Sequence, residues 1–106
     1  MDLRIYPVIL ETLRLMQTEL REIARHDADL AKQTRRAAAS IALNTSEGSY
    51  SRGGNQRLRF QNALGSARET LACLETAHAM GFLPEVRFEV SDKLQHIIGT
   101  LVRLTR

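Results

Sequence analysis

Apolar residues recur along this chain at the three- and four-residue steps of a helical face, and almost nowhere at the two-residue alternation of a strand. Ile5, Ile9, Leu13, Met16, Leu20 and Ile23 form the first such line. It predicts a helix over 3–24 or 7–24, with Pro7 admissible only near the start, where its missing N–H has no partner to lose. His26-Asp27-Ala28-Asp29 reads as a connection, with Asp27 or Asp29 as the next helix's cap. A second helix is expected over 30–47, and it carries two lines. Leu30, Thr34, Ala37, Ala38, Ile41 and Thr45 are small or apolar, whereas Gln33, Arg36, Ser40, Asn44 and Glu47 are polar throughout yet equally regular. Gly48 is expected to end this helix in a left-handed conformation. Residues 49–55 have loop composition. A third helix is predicted over 56–80, its seam running Phe60, Leu64, Ala67, Leu71, Leu74 and His78, with Gly81 as its stop. Pro84 then reads as the first residue of a fourth helix, whose seam is Val90, Leu94, Ile97, Leu101 and Leu104. Short connections between successive helices imply antiparallel neighbours. The predicted fold is therefore all-α, an antiparallel up-down-up-down four-helix bundle forming one domain over 1–106.

Composition narrows the function classes. Gly and Pro number only six and two, aromatics are 5% and Trp is absent, which argues against a β-sandwich or barrel. The lone cysteine, Cys73, excludes an internal disulfide and a cysteine-rich zinc site, and reads as a structural thiol. His26, His78 and His96 do not recur at helical spacing with one another or with Cys73, so no metal is expected; His78 reads as a packing or boundary residue. Glu69 and Glu75 do not share a helix face, and no carboxylate pair presents itself for acid–base chemistry. The expectation is a protein without catalytic apparatus or cofactor. No apolar run approaches the ~18 residues that span a bilayer, and the N-terminus has no secretory pattern. A cytoplasmic location without a membrane partner is expected.

Charge adds a partner class. The overall formal charge is +3, but residues 32–68 hold seven basic residues against one acidic, Glu47, for a local +6. Six of the seven are Arg, whose planar fork donates two hydrogen bonds to one phosphate. Lys32, Arg35, Arg52, Arg57, Arg59 and Arg68 are the candidate nucleic-acid-binding residues. Tyr50 and Phe60 are the only aromatics nearby, which argues against sequence-specific readout of single strands. Gly65-Ser66 lies inside the predicted third helix, where Gly costs about 1 kcal/mol relative to Ala. Close approach of the Ala-rich second helix would explain it. By the same logic Ser40, Asn44 and Glu47 are expected to be buried, either near Gly65 and Ser66 or at a subunit boundary. Leu3, Tyr6, Leu10 and Leu15 on the first helix, and Ile98 and Val102 on the fourth, lie outside the main seams. They are expected to meet another subunit, leaving the Arg-rich middle free.

Residues 33–48, from Gln33 through Arg36, Ala37, Ser40, Ile41, Asn44, Glu47 and Gly48, resemble the signature of the bacterial four-helix-bundle proteins known as intervening-sequence proteins. Arg52 matches a basic position a few residues on, and Ala63, Gly65, Ser66 and Glu69 match a second motif. Met80-Gly81-Phe82-Leu83 stands where the family has Leu-Gly-Tyr-Leu. The usual Asn-Ile-Ala-Glu-Gly is here Asn-Thr-Ser-Glu-Gly, and residues 48–63 are about one residue short. The family includes the accessory variability determinant of diversity-generating retroelements, a basic homopentamer that binds nucleic acid and a reverse transcriptase. The resemblance implies a helical bundle, a pentamer, and a structural polar motif of Arg36, Ser40, Asn44, Glu47, Gly48, Gly65, Ser66 and Glu69. It also implies RNA or DNA as partner. The alternative is a protein–protein scaffold, for example for a reverse transcriptase, with no direct nucleic-acid role.

Overall fold

The computed structural model describes residues 3–106. It contains five helices: α1 (Ile5–Leu15), α2 (Gln17–His26), α3 (Ala28–Tyr50), α4 (Gly53–Ala79) and α5 (Phe88–Leu104). No strand occurs among the described residues. At 1.5 Å rise per residue α4 is about 40 Å long, which accounts for the 42 Å long axis of a body otherwise 24 × 20 Å.

The predicted first helix is divided at Met16. The ladder itself continues, with Met16 N–H donating to Thr12 O and Leu20 N–H to Met16 O, both at 2.9 Å. Beside the junction the Thr12 hydroxyl donates to Val8 O at 2.7 Å and the Gln17 amide to Leu13 O at 3.0 Å. Pro7 sits in the first turn of α1, as expected. Asp27 caps α3, its side chain accepting from Leu30 N–H at 2.9 Å.

α3 packs against α4, α2 and α1; α4 packs also on α5, and α5 on α1. The core runs through all five helices, with Ile9, Met16, Ile23, Ile41, Phe60, Leu74, Leu94, Ile97 and Leu101 fully buried. Leu3, Tyr6, Leu10, Leu15 and Ile98, expected to face another subunit, are half-buried and packed against this chain's own core. α1 meets both α3 and α5, so it needs more than one apolar face within the chain.

Two punctuation residues, Gly48 and Pro84, and the loop 49–55 act differently from their expected roles. Gly48 does not end α3, which runs on to Tyr50, and Gly48 is not left-handed. It is glycine because a Cβ there would stand 2.5 Å from Phe60 Cε1. The expected loop over 49–55 shrinks to Ser51 and Arg52, after which Gly53 (φ 55°) opens α4. Ser51 donates through Oγ to Glu47 O, and the Gln56 amide donates to Gly48 O and Ser51 O, so side chains satisfy the last carbonyls of α3. Pro84 lies in the α4–α5 connection, not at a helix start; α5 begins only at Phe88. Gly81 does stop α4. It adopts φ 82°, its N–H donates to His78 O, and Phe82 N–H donates to Ala77 O, which together form a Schellman closure.

Candidate functional site

The polar line of α3 meets α4 across a short set of hydrogen bonds. Ser66 Oγ donates to Ser40 Oγ at 2.8 Å, Asn44 Nδ2 donates to Ser40 Oγ at 2.9 Å, and Arg59 Nη1 reaches Asn44 Oδ1 at 3.5 Å. Ser40, Asn44 and Ser66 are half-buried. With Gly48 against Phe60 at one level and Ser40 against Ser66 at the next, successive contacts move apart along both chains, the geometry of a helical hairpin. One expectation fails here: Gly65 is exposed with nothing within 4 Å of a notional Cβ, so no backbone approaches it closely. Glu47 is exposed within the single chain. The close approach is at Gly48.

Of the motif residues, Arg36, Glu47, Gly65 and Glu69 are exposed, Ser40, Asn44 and Ser66 lie half-buried along the α3–α4 seam, and Gly48 is buried. Arg36 and Arg59 flank a shallow groove floored by Ala39, Ser40, Leu43 and Asn44, with Glu47 at its edge. Leu43 in this groove is 70% exposed, and Leu58 of α4 is 51% exposed. Neither Glu47, Glu69 nor Arg36 forms an ion pair among the described residues.

Lys32, Arg35, Arg52, Arg57, Arg59 and Arg68 are all exposed, and none is paired with a carboxylate among the described residues. They do not form one patch. Arg35 borders a small cleft with Leu13 and Gln17, on the flank of α3 that faces α1 and α2. Arg57 and Arg68 are three helical turns apart and share one line of α4, whereas Arg59 is rotated roughly 200° from Arg57 and faces α3. Arg52, as the residue before α4, and Arg57, one turn into it, bring two cations to the hairpin tip beside Tyr50, which is 88% exposed.

Three acidic side chains, Glu11, Glu19 and Glu22, form ion pairs among the described residues. Glu19, 3% exposed, receives Arg87 Nε at 2.5 Å and Nη2 at 2.8 Å; Nη2 also donates to Leu15 O. The hydrogen bond to Glu19 raises the Arg87 pKa above its ordinary value, against a smaller opposing effect of burial. This clamp ties the connection before α5 to the α1–α2 junction. It had no signal in the sequence, since its two residues lie far apart and in different lines. Glu22 pairs with Arg25, so the cleft between α2 and the α4–α5 connection contains mutually compensated charge. Cys73 is buried, and burial pushes its thiol pKa up, with the Thr34 hydrogen bond opposing and Glu69 adding to the rise. Among the described residues no three His, Cys, Asp or Glu side chains assemble as a metal group, and no helix is long and apolar enough to cross a membrane.

Fold and site together define an all-helical protein whose polar motif lies on the α3–α4 hairpin, along with six exposed cations that have no carboxylate partner among the described residues. The sequence model of the family described as 23S rRNA-intervening sequence protein matches residues 9–103, and this chain belongs to that family. No curated protein and no solved structure matches it.

Proposed function

We propose that this chain is a non-enzymatic, self-associating accessory protein that binds nucleic acid through the cations of the α3–α4 hairpin without reading sequence. The observation that carries the reading is that six basic side chains of the segment 32–68 are exposed and without a carboxylate partner, in a segment whose one acidic residue is Glu47. Retained without partners, such charges repel one another, and a polyanion relieves that repulsion while releasing its own counterions. Phosphate contacts of this kind give affinity and register but no base discrimination. In the proposed architecture α1 and α2 act as one bent segment, giving a four-helix bundle with antiparallel neighbours; the ring of pairwise contacts among helices supports it. Self-association would use the outer face of the hairpin, where Leu43 is exposed in the groove that Arg36 and Glu47 also line, together with the exposed Leu58 of α4. Five copies is the number the family resemblance implies.

Replacing Arg52, Arg57 and Arg59 together with Gln tests the binding reading. The triple variant is expected to keep its helical content and to lose affinity for duplex and single strands alike in a mobility-shift titration at low salt. Unchanged affinity, or no binding by the unaltered protein, transfers support to the protein-scaffold alternative, for which the exposed Leu43 and Leu58 provide the contact surface.

A further inference from the structure

Along the groove on α3, two side chains of opposite charge mark the ends. Arg36 and Glu47 both line it, eleven residues apart, which is three helical turns, about 16 Å, along one face of the helix. Both are exposed, and neither has an ion-pair partner among the described residues. Their spacing is far beyond the roughly 4 Å at which an ion pair forms, so one cannot neutralise the other within the chain. Leu43 lies between them and is 70% exposed, next to the small side chains of Ala39 and Ser40. A Leu in this position gains from being covered, and the charges on either side of it decide by what.

From these features we infer that the groove takes a second copy of this chain, with α3 packed antiparallel on α3 about a two-fold axis level with the Ile41–Ala42 peptide. The line is complementary to itself in that arrangement and in no parallel one. In a two-fold contact residue i meets j and j meets i. Arg36 of each copy then faces Glu47 of the other, Ala39 faces Asn44, and Ser40 faces Leu43. The exposed Leu43 of each copy lies over the small Ala39 and Ser40 of the other, and large against small is how two helical layers interdigitate. Parallel packing in register would set Arg36 on Arg36 and Glu47 on Glu47, which repel. The remaining charge in the groove, Arg59 of α4, is turned to Asn44 Oδ1 at 3.5 Å. The inference rests on the self-association reading above and deepens it by naming the contact and its symmetry. A two-fold contact closes at two copies, so assemblies that use it hold an even number of chains, whereas a head-to-tail ring need not.

Charge exchange provides the test, read by sedimentation velocity on the full chain without nucleic acid and at low salt, where exposed ion pairs count most. The unaltered protein is expected at twice the 12.0 kDa chain mass or another even multiple. Arg36→Glu alone and Glu47→Arg alone are each expected to raise the dissociation constant about tenfold, because two ion pairs become two repulsions. The double variant Arg36→Glu/Glu47→Arg restores both pairs with their signs exchanged and is expected within about twofold of the unaltered protein. An equimolar mixture of the two single variants is expected to associate as tightly, since every facing pair then has opposite charge. Leu43→Ala is expected to weaken association about 100-fold, because one substitution removes two buried contacts. All these positions are exposed, and the circular dichroism spectrum is expected to stay unchanged. A double variant weaker than either single one, single variants that associate normally, or an odd multiple of the chain mass overturns the inference and leaves self-association standing. A single-chain mass for the unaltered protein removes self-association and the inference with it.

Discussion

Replacing Gly48 with Ala sets two effects against each other, and the hairpin geometry decides between them. Gly48 lies inside α3, where Ala is favoured by about 1 kcal/mol in helix propensity. The added Cβ, however, would stand 2.5 Å from Phe60 Cε1, 2.7 Å from Cδ1 and 3.2 Å from Arg59 Cβ. Carbon atoms in contact prefer about 3.5–4.0 Å, so roughly 1 Å must be found between the helices. Phe60 is 2% exposed and packed within the core cluster. Overpacking of this kind costs about 1–3 kcal/mol, and so severe an overlap belongs at the upper end. The net expectation is a loss of about 1–2 kcal/mol, or roughly 4–15 °C in Tm for a domain of this size. Thermal melts followed by circular dichroism measure it. Gly99→Ala in α5 is the control, since its Cβ would meet only the end of the Arg103 side chain at 3.7 Å and should stabilise by about 0.5–1 kcal/mol. A Gly48→Ala protein that melts at or above the unaltered one would refute the reasoning.

Other consequences can be measured separately. Arg87→Met strands the buried Glu19 carboxylate and should destabilise by about 2–3 kcal/mol in urea, whereas the double change with Glu19→Met should recover much of that loss; no recovery would show that the pair does not act as a unit. Burial raises the Cys73 pKa from an ordinary value of about 9, so the thiol stays protonated in the folded state at pH values where the unfolded chain already ionises. Its contribution to stability is therefore complete below about pH 9 and declines as pH rises further, and Cys73→Ser should flatten that decline in urea melts. Labelling of Cys73 by a maleimide at pH 8 should track unfolding, and rapid labelling of the native protein would contradict its burial. Light scattering at micromolar concentration should give a multiple of the 12.0 kDa chain mass, twofold for the α3 contact alone and fivefold for the ring the family implies. Leu43→Glu with Leu58→Glu should return it to one chain, and a single-chain mass for the unaltered protein would reject assembly.

Much of the helical framework was legible because burial follows period. Ile9, Met16, Ile23, Thr34, Ile41, Phe60, Leu74, Val90, Leu94, Ile97 and Leu101, all read as seam positions, are fully buried. Gly81 was legible as a stop because a Schellman closure needs a left-handed residue and the following chain leaves the helix. Gly48 was misread because a glycine that ends a helix and one that admits a neighbouring ring are the same letter; only Phe60, on the next helix, distinguishes them. Gly65 was misread for the converse reason, since the small residues opposite it pack one step away, through Ser66. The division at Met16 was not legible, because the apolar period runs through it unbroken. The charge segment was visible as composition, but its division between two flanks and a tip required the rotation of α4. Thr45 sat in the apolar line of α3 and looked like packing; its unpartnered hydroxyl appears only in three dimensions.

The salt dependence of nucleic-acid affinity tests most directly whether the hairpin cations contact phosphate. For duplex DNA, log K falls against log salt concentration with a slope of about −0.9 for each phosphate contacted. The nucleic-acid reading predicts a steep negative slope for the unaltered protein, and a slope shallower by up to about 2.7 when Arg52, Arg57 and Arg59 are all changed to Gln. The same slope in both proteins, or affinity insensitive to salt, would contradict it.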